Sequence, residues 1–126
     1  MNDLASRSVR LALVLDIALV IVFAVLGRAS HAEALSPGGL LTTAVPFLLG
    51  LTVGWAAVVL VRTWALGWRA GIILVVASVT VGMAVRHLTG HGVSVAFVAV
   101  ATSFLTLFLV GWRVVWGLVA RRRDAA

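Results

Sequence analysis

The stretch LALVLDIALVIVFAVLG, Leu11 to Gly27, carries a single charge, Asp16. It is too long for a core strand and shows no period-2 alternation, so it reads as a helix that is apolar on every face. Three more such runs follow, Ala44 to Val61, Ala70 to Val85 and Val93 to Gly111, and each of the four approaches the length of a membrane span. About 20 residues at 1.5 Å apiece cross the roughly 30 Å hydrocarbon layer of a bilayer. The third run is slightly short, and Arg69 and Arg86 at its ends can snorkel to the interfaces. The expected fold is therefore an all-α integral membrane protein. It is one membrane domain, 1–126, with helices at about 9–27, 44–62, 70–86 and 93–119.

Composition leads to the same class. Hydrophobic residues make up 63% of the chain and charged residues 11%, and the mean hydropathy is +1.18. So much apolar side chain cannot be hidden inside 126 residues in water. It also excludes disorder, which needs low hydrophobicity. The absence of cysteine excludes a disulfide-stapled fold and a cysteine zinc site. A net charge of +6 would suggest nucleic acid in a soluble protein. Here every basic residue is an arginine, nearly all lie between or beyond the apolar runs, and no basic-aromatic patch appears. The expected partner is the lipid bilayer, not nucleic acid.

Those arginines set an orientation. Arg7, Arg10, Arg62, Arg69, Arg113, Arg121, Arg122 and Arg123 fall on one side, and only Arg28 and Arg86 on the other. The positive-inside rule then puts both termini in the cytoplasm. Arg7, Arg10 and Ala32 to Ala34 imitate a cleaved signal peptide, but Asp16 and the length of the apolar region favour a retained first helix. Ser36 to Gly39 and Gly90 to Gly92 read as turns, with Pro46 in the first turns of helix 2. Trp55, Trp64, Trp68, Trp112 and Trp116 read as a belt at the cytoplasmic interface.

A weak internal repeat is also visible. The step along the chain from Arg28 to Arg86 nearly equals the step from Gly54-Trp55 to Gly111-Trp112. Near-equal offsets are what a duplicated helical hairpin leaves behind, although chance coincidence in so restricted an alphabet competes with that origin.

Two groups of residues invite chemistry. Asp16 lies near the middle of helix 1, with Thr52, Ser78, Thr102, Ser103 and Thr106 at comparable depth on the other helices. Facing inward, these would form a midplane polar layer suited to an ion or a proton. The plainer reading is that hydroxyls or an arginine satisfy Asp16 and lock the helices together. At the outer rim lie Arg28, His31, Glu33, Arg86, His87 and His91, which could hold an anionic ligand or lipid head group. A metal there would need converging geometry that spacing does not provide, so none is expected, nor is a cofactor. Gly50 with Gly54, and Ala99 with Ser103, form small-xxx-small ridges for close helix packing within the bundle or between protomers. No nucleophile-base pair or phosphate loop is present, so no enzyme activity is expected.

Taken in order, Asp16, Gly27 to His31, Pro46 to Trp55, Val81 to Arg86 and Gly111 to Arg113 form a pattern. With it the chain resembles the family called domain of unknown function 3054, small bacterial and archaeal membrane proteins common in actinobacteria. The resemblance runs from about Leu11 to Arg113. It implies four membrane helices and no particular activity. The leading expectation is a small transporter or channel built around Asp16, and the alternative is a non-catalytic scaffold or accessory subunit of a larger complex. Either one implies a homo-oligomer or a larger complex.

Overall fold

A computed structural model describes residues 3–30 and 36–125. Among them there is no strand, and the helices are α1 Asp3–Ser30, α2 Pro37–Leu60, α3 Trp68–Leu88, α4 Val95–Leu105 and α5 Gly111–Ala125. A π-helical turn, Thr106–Val110, joins α4 to α5, so Val95–Asp124 forms one continuous rod. Four helices are thus long and apolar enough to cross a membrane. The start of α1, the end of α5 and the 61–67 connection lie at one end, the terminal end; the last turns of α1 and α3 lie at the far end.

The helix ends have local causes. Ser36 is the N-cap of α2, its hydroxyl accepting from the Gly39 N–H at 3.1 Å, and Pro37 occupies the first helical position. The expected turn at Ser36 to Gly39 is thus a helix start, and α2 begins at Pro37 rather than near 44. Pro46 consequently lies inside α2, buried, rather than in its opening turns. At the other end of α2, Thr63 N–H donates to Val58 O and Arg62 N–H to Val59 O. This is a Schellman closure, and Arg62 takes the left-handed position at φ 57°. The same closure ends α3, with His91 donating to Arg86 O and Gly90 at φ 81°. The turn expected at Gly90 to Gly92 is present.

α2 and α3 make the closest pair. A Cβ on Gly50 would stand 2.6 Å from Ser78 Cα and 2.8 Å from Ala77 O, and one on Gly54 2.9 Å from Leu74 Cδ2. The glycine ridge is therefore a contact within the bundle, a choice its spacing left open. Gly71 does the same for the π-turn, since its Cβ would lie 3.0 Å from Val110 Cα. Ala99 and Ser103 face outward instead, beside a shallow groove with Phe104 and Leu107. Towards the far end Phe23, Phe47, Phe97 and Phe104 fill the core, with Phe23 edge-on to Phe47 at a 5.0 Å ring separation.

The bundle is apolar outside as well as inside. Leu11, Val14, Val76, Val100 and Leu107 are each at least 60% exposed, while Asp16, Ser78 and Arg113 are at most 1% exposed. Such an apolar perimeter, with the buried charges confined to a pair inside an otherwise apolar core, is what lipid demands of a protein.

Candidate functional site

Asp16 and Arg113 meet in the core from opposite directions along the bundle. Each Cα–Cβ bond tilts towards its own helix N-terminus. α1 starts at the terminal end and the α4–α5 rod at the far end, so the two side chains lean towards each other. Arg113 Nη2 donates to Asp16 Oδ2 at 2.7 Å and Nη1 to Oδ1 at 2.9 Å, a fork-on-fork ion pair. Trp55 Nε1 adds a bond to Oδ2 and Trp112 Nε1 one to Oδ1, both at 3.0 Å. A carboxylate offers about four lone-pair sites, and here each is matched by a donor.

Four of the five N–H donors of Arg113 are used in turn. Its Nε donates to Ala65 O and its Nη1 to Leu109 O, both at 2.9 Å. The first bond ties the 61–67 connection to the core, where Ala65 and Leu66 are buried. The second draws on the π-turn. Such a turn disturbs the usual i to i+4 ladder, and Leu109 O takes a side-chain donor there. Arg113 also lies over the Trp112 ring at 4.5 Å. Gly71 makes room for the pair, because a Cβ there would meet Arg113 Cδ at 3.2 Å.

The expected midplane layer does not converge on this node. Thr52 is exposed and returns its hydroxyl to Leu48 O, and Thr102, Ser103 and Thr106 lie on the exposed side of the rod. Only Ser78 shares the burial of Asp16, and its hydroxyl has no hydrogen-bond partner. Threonine and serine do not distinguish the two faces of a membrane helix, because each can satisfy itself on its own backbone. Trp55 and Trp112 leave the expected interfacial belt to face inward. Trp64, Trp68 and Trp116 are exposed, as a belt requires.

At the far end the rim arginines do converge. A cleft of about 850 Å³ is lined by Arg28 from α1, Thr43 from α2, Arg86 from α3, and Phe97 and Val100 from α4. Arg28 Nη1 donates to Thr43 Oγ1 at 3.0 Å. Arg86 Nε and Nη2 donate to Gly92 O at 3.3 and 3.0 Å, and its guanidinium lies 4.4 Å from the Phe97 centroid. His91 joins the lining, its Nδ1 3.0 Å from Thr89 Oγ1. His87 is exposed and is not part of the lining. His31 and Glu33 lie outside the described residues, and among the described residues no cluster suited to a metal occurs.

Spacing alone did not single out Arg113, Trp55 or Trp112 as partners of Asp16, or Gly71 as the gap beside Arg113. The available signal was the repeat, because the two repeat-related tryptophans bind the same carboxylate.

A perimeter of apolar helices around a satisfied ion pair defines a protein of the multi-pass membrane type. The chain belongs to the family described as Protein of unknown function (DUF3054), whose model matches residues 13–116. No curated protein and no solved structure matches it.

Proposed function

We propose that this is a non-catalytic protein of the bacterial plasma membrane, with both termini in the cytoplasm, acting as a scaffold or accessory subunit in a larger assembly. One observation carries the choice against a carrier built on Asp16. All four acceptor positions of that carboxylate are taken by protein donors, and the side chain is fully buried. A cargo cation would have to displace an arginine or a tryptophan to bind there. Hydroxyls turned to the perimeter offer it no relay. With Arg113 withdrawn into the core, the remaining arginine bias of seven to two still supports the orientation.

A paired apolar replacement tests the choice. Asp16→Leu with Arg113→Met keeps volume and removes both charges. A scaffold so altered still complements a deletion strain and co-purifies with its partner, or with a second copy, in mild detergent. Lost complementation by a folded, inserted double variant would return the charges to a transport role. Orientation is read by single-cysteine labelling in a chain that has no cysteine. Ser6, Trp64 and Asp124 should label from inside and His91 from outside.

A further inference from the structure

We infer that the outward face of the α4–α5 rod, around Ala99, Thr102, Ser103 and Thr106, is the surface on which a second copy of this chain docks. These residues stand at i, i+3, i+4 and i+7, so they form one stripe along the rod, and all are exposed. Beside the stripe runs the shallow groove walled by Val100, Phe104 and Leu107. The rod is also the least covered span, with 17% of its most apolar stretch buried against 28–39% for the other three.

Hydrogen bonding says what covers the stripe. Among the described residues the hydroxyls of Thr102, Ser103 and Thr106 have no hydrogen-bond partner. Thr42, Thr52 and Thr89 are instead satisfied on their own helices, donating to Gly38 O, Leu48 O and Val85 O. Hydrocarbon holds no water to bond a free hydroxyl, so a row of them on a lipid-facing stripe calls for a partner across an interface. A hydroxyl both donates and accepts, and the row is therefore complementary to itself. A foreign helix would have to supply a matching row, whereas a second copy has it by identity. Two copies inserted the same way, about a twofold axis along the membrane normal, put Ser103 opposite its own counterpart. Small Ala99 one turn away lets the backbones close. Charge permits the pairing as well. Arg121 lies about 27 Å along the rod from Ser103 at about 1.5 Å per residue. At the crossing of about 40° usual for small-residue contacts, the rods are there about 18 Å further apart, beyond the Debye length of about 8 Å. The inference needs the bundle in a bilayer and does not depend on the scaffold reading.

The test uses the full chain, in membranes and in mild detergent. The chain has no cysteine, so single cysteines report contacts. Under mild oxidation Ala99→Cys and Ser103→Cys should each form an intermolecular disulfide, while Val76→Cys, 60% exposed on α3, should not. Native mass spectrometry of the wild-type chain should show a dimer. Thr102→Val with Ser103→Ala and Thr106→Val removes the hydroxyls and keeps the shape of the stripe. It should raise the dimer dissociation constant at least about tenfold, at roughly threefold per hydrogen bond. Thr80 is an exposed hydroxyl on α3 with no other hydroxyl one turn away, and Thr80→Val should leave the dimer unchanged. Alkaline extraction of the same membranes checks insertion, which tells a failed pairing from a failed membrane placement. A chain that does not insert overturns both. An inserted chain that stays monomeric overturns the pairing alone. So does a dimer that crosslinks through Val76→Cys, a crosslink from Ser103→Cys to a different protein, or wild-type association by the triple variant.

Discussion

Trp55 and Trp112 hold opposite oxygens of one carboxylate, each indole N–H 3.0 Å from Asp16. They occupy matching places in the two hairpins, each directly after a glycine, on two helices that run in the same direction. A duplicated hairpin would produce such a relationship. The second repeat-related pair, Arg28 and Arg86, likewise meets in one cleft at the other end. The symmetry is broken at the ion pair, because Leu74 stands at the place matching Asp16 and Ala56 at the place matching Arg113.

Removing one member of the pair should cost far more than removing both. Asp16→Ala or Arg113→Ala leaves an uncompensated buried charge, worth about 3–5 kcal/mol of stability. Asp16→Leu with Arg113→Met should recover the part of that loss due to the uncompensated charge, and stay below wild type because the Trp55 and Trp112 N–H groups lose their acceptor. Unfolding in mixed micelles measures the cycle. Additive losses in the double variant would show that the two residues are not coupled.

The two tryptophans should count about equally. Trp55→Phe and Trp112→Phe each keep a ring and remove one hydrogen bond to a charged acceptor, about 1.5–3 kcal/mol. A loss confined to one of them, in the same unfolding assay, would contradict the shared role.

Glycines in this chain should divide sharply by position. Gly50→Ala drives a methyl into the α3 backbone and should destabilise by about 1–3 kcal/mol or more. Gly117→Ala meets nothing within 4 Å and should be neutral or stabilising by up to about 1 kcal/mol. Equal melting temperatures for the two variants would show that the α2–α3 contact is looser than described.

Arg62 takes a left-handed conformation at φ 57°. A non-glycine residue there costs roughly 1–2 kcal/mol. Arg62→Gly should therefore raise the unfolding midpoint, whereas a fall would mean that the arginine side chain makes a compensating contact.

The span count was legible because four long apolar runs are a coarse signal that survives any detail of packing. Boundaries were less so. Ser36-Pro37 reads equally as a turn or as a cap and first residue, and the structure uses the second. Asp16 was legible as a special residue, and an arginine partner was among the readings, but which arginine was not. Arg113 lies past the end of the fourth apolar run, and topology alone accounts for a charge there. Only the opposed tilt of the two side chains brings it to Asp16. The π-turn at Thr106–Val110 has no signature in its residues that we can identify. The rim site was partly legible, because Arg28, Arg86 and His91 sit on neighbouring helix ends whatever the bundle's exact packing.

Asp16 is made 97 residues before its partner. On the ribosome, α1 emerges carrying a carboxylate whose matching cation belongs to the fourth span, translated later. Through the insertion of three spans, that charge must be sheltered by the insertion machinery or by water, since hydrocarbon rejects it. Arrival of Arg113 ends the need. A nascent chain released before residue 113 would thus display a mark of incompleteness within the bilayer, which a membrane protease could read before any surface loop looked abnormal.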